Sequence, residues 1–168
     1  MRVAIVSESF LPQVNGVTNS VLRVCEQLSG HGHEVLVIAP GPGPAEWDGV
    51  PVVRTPSCPV PGYRDFRVAL PFPAMTATLH EFGPDVVHLA SPAVLGAQGA
   101  TAAAQLRIPR VAVYQTDLAA YAGRYRMGLA EPMVWRRLVR VHAAAARTLA
   151  PSRAAVMAGK GSATRKSR

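Results

Sequence analysis

The chain has 168 residues, of which 49% are hydrophobic, and it carries a formal net charge of +8. This length favours one domain with a substantial core, and no apolar run is long enough to span a membrane. The basic C-terminal end lacks interleaved aromatic residues, which argues against nucleic acid as a partner. No signal-type segment opens the sequence, so a cytoplasmic location is expected.

Strands alternate with helices along the chain. Apolar runs predict buried strands, and apolar positions at helical spacing predict the helices between them. In chain order we predict strand 2–7, helix 16–29, strand 34–39, strand 52–55, helix 71–82, strand 85–89, helix 94–106, strand 110–114, helix 131–147 and strand 148–150. Residues 56–67 are predicted to be irregular, and 115–129 to be a loop or broken helix.

This alternation predicts an α/β fold with a Rossmann-like, doubly wound parallel sheet. The expected strand order is 3-2-1-4-5, which places the switch point between the first and fourth strands. The four most apolar runs, 2–7, 34–39, 85–89 and 110–114, should be adjacent inner strands.

The turn from Ser7 to Val17 is the first candidate site. Ligands of open parallel sheets bind beyond the carboxyl ends of the strands, and a helix start offers unpaired N–H groups to an anion. Gly16 has no Cβ, so a ligand could approach its backbone closely. It is the one glycine before Ser29, so the dinucleotide fingerprint is missing, which disfavours an oxidoreductase. A purely structural role, in which Asn15 caps the helix, stays open.

Six segments, taken together and in this order, carry a resemblance to a known family. They are RVAIVSESFLP (2–12), NGV (15–17), GHGHEV (30–35), PDVVH (84–88), YQTD (114–117) and LAPS (149–152). They resemble the N-terminal domain of retaining glycosyltransferases of family four, in particular the bacterial α-mannosyltransferases that use GDP-mannose. That family has the GT-B fold, in which two Rossmann-like domains face a cleft. The resemblance implies a single acceptor-side domain, residues 1–155. The polar and basic composition of residues 156–168 predicts a disordered tail.

The resemblance also implies a function. The intact relative transfers a hexose, mannose by this resemblance, from a nucleotide sugar to a lipid or glycan acceptor, with retention at the anomeric carbon. No cofactor or metal is expected, and contact with an anionic membrane at the inner face is a possible further partner interaction. The family's donor domain has no counterpart in these residues, so this chain alone is expected to be inactive. The alternative is a truncated, non-catalytic remnant with residual ligand binding.

The resemblance assigns roles to individual residues. Gly16 and Val17 match the glycine loop that meets the donor diphosphate. Asp117 is the candidate catalytic residue, because it lies where many relatives place a histidine against the donor sugar, although a helix N-cap is an equally open role. The expected contacts to acceptor or sugar are Asn15, His88, Ser91, Thr116, Tyr121 and Arg64.

Each of these residues has a plainer alternative. His88 in an apolar strand is commonly a core histidine. Arginines of the two long loops suit a lipid phosphate or simply a solvated surface; they are Arg64, Arg67, Arg124 and Arg126. Cys25 is expected to be buried filler, and the spacing of His31 and His33 suits helix termination better than a metal. If the site is real, Gly16, Asp117 and His88 or Ser91 should converge on one cleft.

Overall fold

A computed structural model describes residues 1–60, 63–91, 93–113 and 147–149 of the chain. The strands are β1 (Arg2–Val6), β2 (Glu34–Pro40), β3 (Glu46–Trp47), β4 (Val50–Thr55), β5 (Ser57–Val60), β6 (Tyr63–Ala69), β7 (Val86–Leu89), β8 (Arg110–Val113) and β9 (Arg147–Leu149). The helices are α1 (Gly16–Gly30), α2 (Met75–Phe82) and α3 (Val94–Gln105). In the described part of the chain, no helix has the length and apolarity needed to cross a membrane.

The main sheet has seven strands in the order β3-β4-β2-β1-β7-β8-β9. Every neighbouring pair is parallel except β3 with β4. The predicted order is therefore confirmed, and the four apolar runs are the adjacent inner strands. Since β1 pairs with β2 on one side and β7 on the other, the topological switch point lies between β1 and β7.

The alternating side chains of the inner strands fill one core on each face of the sheet. On one face, α1 buries Val21 and Cys25 against a cluster that includes Ile5. The prediction that Cys25 is buried is confirmed, and this burial raises the pKa of its thiol to about 12. On the other face, α2 and α3 bury Leu79 and Leu95.

Close packing of α3 on the sheet depends on a small residue. A Cβ at Gly99 would lie 3.0 Å and 3.2 Å from the two methyl groups of Val6. The helix thus rests directly on β1, which fixes the position of its N-terminus beside the end of that strand.

One whole segment and the start of one helix differ from the sequence prediction. The described part of residues 56–67 is mostly strand and not irregular, because Ser57–Val60 and Tyr63–Ala69 pair as antiparallel strands. Proline is tolerated there because the two-stranded ribbon is all edge, where a missing N–H costs little. Helix α2 begins at Met75 rather than at 71. The prolines at 71 and 73 explain this, since a residue before proline is biased away from helical geometry.

Other predictions lie outside the described residues. These are the loop at 115–129, most of the helix at 131–147, the domain boundary at 155 and the tail at 156–168. The short strand predicted at 148–150 is confirmed in part, as β9 pairs with β8 over Arg147–Leu149.

Candidate functional site

The loop from β1 to α1 is held by its own polar side chains. Ser7 Oγ donates to the Ser9 carbonyl at 2.7 Å, and Ser9 Oγ donates to Gln13 Oε1 at 3.0 Å. Asn15 Nδ2 donates to Ser9 Oγ at 2.7 Å, and Thr18 Oγ1 donates to the Gln13 carbonyl at 2.9 Å. Short polar side chains that bond to nearby backbone favour such turns. The network makes this loop a defined scaffold at the carboxyl end of the central strand.

The first turn of α1 is capped by Asn15, whose Oδ1 accepts from the Thr18 N–H at 3.0 Å. The predicted capping role is therefore confirmed. The N–H groups of Gly16 and Val17 precede the first intrahelical hydrogen bond, so helix geometry gives them no partner within α1. Gly16 is exposed, and a Cβ placed on it would meet no atom of the described residues beyond its own helix turn within 4 Å. The helix start therefore offers two donors and open space.

The ends of β1 and β7 meet at a tight junction. The N–H of Ala90 donates to the Val6 carbonyl at 3.0 Å, and the N–H of Gly96 donates to Glu8 Oε1 at 3.0 Å. Gly96 is required here, because a Cβ would lie 2.1 Å from the Ser91 carbonyl oxygen. Ser91 is buried, and its Oγ has no hydrogen-bond partner among the described residues. A carboxylate from the β1–α1 loop thus occupies the positive end of α3.

His88 lies within β7, opposite Ile5 in β1 and Val111 in β8. Burial lowers the pKa of its imidazole to about 4, so it is neutral at physiological pH. Its Nε2 is buried, and no described residue forms a hydrogen bond with it. As a whole the side chain is half-buried, which matches a histidine at the rim of the core, and the unpaired nitrogen leaves one buried polar atom unsatisfied.

A cavity of about 550 Å³ opens at the carboxyl edge of the sheet, beside the β1–α1 loop. Its described walls come from that loop, from the segment after β2 and from β6: Glu8, Ser9, Phe10, Pro12, Gln13, Val14, Pro40, Pro42 and Arg67. Among the described site residues, Asn15, Gly16, Val17, His88 and Ser91 are not part of this lining. Of the arginines proposed for a phosphate, Arg67 is in the wall.

Two guanidinium groups fix the segment after β2. Arg54 donates from Nε to the Pro44 carbonyl at 2.8 Å and from Nη1 to the Pro40 carbonyl at 3.1 Å. Arg67 donates from Nε to the Gly41 carbonyl at 2.9 Å. The guanidinium of Arg54 also lies 5.5 Å from the ring centroid of Phe10. Residues 40–44, called here the proline loop, are therefore an ordered cavity wall.

Sequence reasoning missed several of these residues. Arg54 was not considered, although an arginine inside an otherwise apolar strand is a signal of a paired, partly buried cation. Glu8 and Phe10 were treated as part of a motif and not as cavity residues. Three predicted site residues, Thr116, Asp117 and Tyr121, lie outside the described residues, as do Arg124 and Arg126. Arg64 lies in β6.

The positions of Gly16 and Ser91 test only part of the prediction that the site residues converge on one cleft. Gly16 begins the helix after β1, and Ser91 follows β7, the neighbouring strand. Both therefore lie at the same edge of the sheet. Among the described residues, no three His, Cys, Asp or Glu side chains are grouped so that they could hold a metal ion.

Comparison with known proteins identifies relatives of the chain. A family model described as Glycosyltransferase Family 4 matches residues 14–158. A GDP-mannose-dependent alpha-mannosyltransferase of Mycolicibacterium smegmatis is 54% identical over 162 residues, covering 93% of this chain and 43% of the relative. Another, of Corynebacterium glutamicum, is 50% identical over 157 residues, covering 90% of this chain and 38% of the relative. The chain thus spans about two fifths of the length of these curated relatives.

One solved structure is also similar. Sucrose-phosphate synthase from Thermosynechococcus elongatus matches 71% of this chain and 34% of that chain, with a TM-score of 0.44 and 14% sequence identity.

Proposed function

The chain belongs to glycosyltransferase family 4, and from that membership we propose that it is the acceptor-side domain of a retaining mannosyltransferase. In this proposal GDP-mannose is the donor, a lipid or glycan hydroxyl is the acceptor, and the cleft is completed by a donor-binding domain like that of the GT-B enzymes. The donor assignment is supported by relatives at 50% and 54% identity, both named as GDP-mannose-dependent alpha-mannosyltransferases.

The observation that carries the proposal is the open start of α1. Gly16 is exposed, and apart from its own helix turn no described residue has an atom within 4 Å of the place that a methyl group on its Cα would take. It lies at the carboxyl edge of the sheet, next to the cavity-lining loop. In the proposed complex, the donor diphosphate contacts the N–H groups of Gly16 and Val17. The positive end of the helix dipole favours an anion at this place.

The proposed chemistry uses this site to stabilise the leaving group. The bond from the anomeric carbon to the diphosphate oxygen breaks, and a bond to the acceptor oxygen forms on the same face of the sugar. The acceptor proton passes to the leaving phosphate, so no enzyme nucleophile is required. N–H donors fixed by the capped helix need no reorganisation as charge develops on that phosphate. Helix and basic side chains share the charge, and the proposal therefore includes no metal ion or other cofactor.

The remaining site assignments are part of the same proposal. Asp117, Thr116 and Tyr121 would reach the sugar or the acceptor from the segment that follows β8. Ser91 would contact the acceptor from the end of β7. A location at the inner membrane face, held by peripheral contact with anionic lipid, is supported by the net charge of +8.

A chimera tests the function. The segment of the Corynebacterium glutamicum relative that aligns with this chain would be replaced by this chain, and transfer from GDP-mannose to that relative's acceptors would be measured. We expect mannose transfer that falls at least tenfold when Gly16→Ala is introduced. A folded chimera that binds GDP-mannose but transfers no mannose would contradict the proposal, and would favour the non-catalytic remnant.

A further inference from the structure

A further cavity, called here the interhelical pocket, lies between α2 and α3 on the face of the sheet opposite α1. Its volume is about 220 Å³. Its described lining residues include Phe72 and Pro73, which precede α2, Thr76 in α2, and Gln98, Thr101 and Gln105 in α3. The rest of the described lining belongs to the core cluster beneath the two helices. None of the residues proposed for donor or acceptor contact is among these described lining residues.

Two amide side chains of α3 are oriented by their own hydrogen bonds. Gln98 Oε1 accepts from the Phe72 N–H at 2.7 Å, whereas Gln98 Nε2 lies 3.4 Å from the Val94 carbonyl oxygen. That second distance is longer than the usual value of about 2.9–3.0 Å, so this bond is weak. Gln105 Oε1 accepts from Thr76 Oγ1 at 3.1 Å, and no described residue accepts from Gln105 Nε2. Both amides therefore have N–H donors available to a ligand.

The hydroxyl groups of the pocket complement these donors. Thr101 Oγ1 donates to the Ala97 carbonyl at 2.9 Å, and Thr76 Oγ1 donates to Gln105. Each hydroxyl oxygen keeps lone pairs that can accept a further hydrogen bond. No described lining residue is charged, and α3 contains no charged residue along its whole length. Since an ion would find no counter-charge among these residues, the pocket suits a neutral ligand with hydroxyl groups.

The apolar part of the pocket suits a ring. Phe72 is half-buried, and together with Pro73 it adds apolar surface beside the amides. Pockets for drug-sized ligands measure about 300–1,000 Å³, so a smaller pocket holds one ring rather than an oligomer. A docked helix would need an apolar groove for side chains spaced three and four residues apart. The amides of Gln98 and Gln105 interrupt such a groove, which favours a small polar ligand over a partner helix.

From these features we propose that the interhelical pocket binds one neutral hexopyranose unit of a glycan, outside the cleft in which transfer is proposed. The amide N–H groups of Gln98 and Gln105 donate to ring hydroxyls, and the threonine hydroxyls accept from them. Phe72 and Pro73 cover the C–H face of the ring. Little side-chain entropy is lost, because hydrogen bonds already orient the amides, and a Kd of about 1–10 mM is expected for a single ring. The proposal goes beyond the proposed function and does not depend on the donor contact at Gly16.

An NMR titration of the full chain tests the pocket with methyl α-D-mannopyranoside and methyl α-D-glucopyranoside. We expect saturable shifts of the side-chain NH₂ resonances of Gln98 and Gln105 with one or both glycosides. Cyclohexanol, a ring with a single hydroxyl, should not produce these shifts, and mannose 6-phosphate should bind no more tightly than the neutral mannoside. Equal shifts with cyclohexanol, tighter binding of the phosphate, or glycoside shifts confined to Ser9 and Gln13 in the other cavity would overturn the proposal. The absence of any saturable shift would do the same.

Two substitutions to alanine separate recognition from folding. Gln105→Ala and Thr101→Ala change exposed positions of α3, where alanine favours the helix. Each should raise the Kd for the glycoside about fivefold, because one hydrogen bond to the sugar is lost. Gln27→Ala, at an exposed position of α1, is the matched control and should leave the Kd unchanged. A folded Gln105→Ala protein with the wild-type Kd would refute the pocket, and Thr101→Ala decides in the same way if Gln105→Ala does not fold.

Discussion

The cap of α1 should account for a measurable part of the stability of the domain. Asn15 makes two hydrogen bonds: Oδ1 accepts from the Thr18 N–H at 3.0 Å, and Nδ2 donates to Ser9 Oγ at 2.7 Å. Loss of an N-cap typically costs about 1 kcal/mol. Loss of the second bond adds about 1 kcal/mol. Asn15→Ala should therefore lower the free energy of unfolding by about 2 kcal/mol, which corresponds to a fall in Tm of about 4–8 °C in a protein of this size.

Asn15→Asp divides this cost between the two contacts. An aspartate keeps the capping oxygen and places a negative charge at the positive end of the helix, but it cannot donate to Ser9. Its loss should be no more than about 1 kcal/mol. Urea unfolding followed by circular dichroism measures both variants. Asn19→Ala, at an exposed position of the same helix, is the control and should be neutral or slightly stabilising. An Asn15→Asp variant as unstable as Asn15→Ala would refute the capping argument.

Two further variants test the close approach of α3 at Gly96 and the neutral state of His88. Gly96→Ala would place a Cβ 2.1 Å from the Ser91 carbonyl oxygen, so it should lower the free energy of unfolding in urea by about 3 kcal/mol or more. Gly30→Ala, whose Cβ would meet no described atom within 4 Å outside its own helix turn, should change that free energy by less than about 1 kcal/mol. Equal effects of the two substitutions would contradict the close approach of α3 to Ser91. Burial lowers the pKa of His88 to about 4, and an unfolded histidine has a pKa of about 6.5, so the unfolded state gains a proton first on acidification. The contribution of His88 to the free energy of unfolding should therefore be constant above about pH 7 and fall by about 1–3 kcal/mol between about pH 6.5 and 4. His88→Gln should remove this part of the pH dependence. Identical pH profiles of stability for the wild type and His88→Gln would show that burial does not hold the imidazole neutral.

The sheet could be predicted from the sequence because its strands have a simple pattern. Runs such as Val35–Ala39 are apolar on both faces, as expected for parallel strands covered by helices, and short connections leave few possible strand orders. The start of α1 was equally clear, since Asn15 is a good capping residue and Gly16 begins the apolar helical spacing. Both signals are local, and the structure agrees with them.

The hairpin β5–β6 could not be predicted, because proline-rich sequence normally indicates a loop. Its strands pair mainly with each other rather than within the main sheet, and β5 still includes Pro59. The cavity wall was missed for a related reason. Arg54 and Arg67 act through carbonyl groups of the proline loop, which is distant from Arg67 in sequence, and no local pattern encodes such contacts.

The donor contact at the start of α1 is the central claim, and a pyrophosphate titration of three proteins tests it most directly. Gly16→Ala and Gly30→Ala change the two ends of one helix in the same way, and neither added methyl group meets an atom of the described residues within 4 Å outside its own helix turn. Both variants should fold like the wild type. The wild type and Gly30→Ala should show the same saturable shifts of the Val17 amide, whereas Gly16→Ala should bind about tenfold more weakly because its methyl group occupies the path of the phosphate. Equal affinity in all three proteins, or no shift at Val17 in the wild type, would contradict the claim.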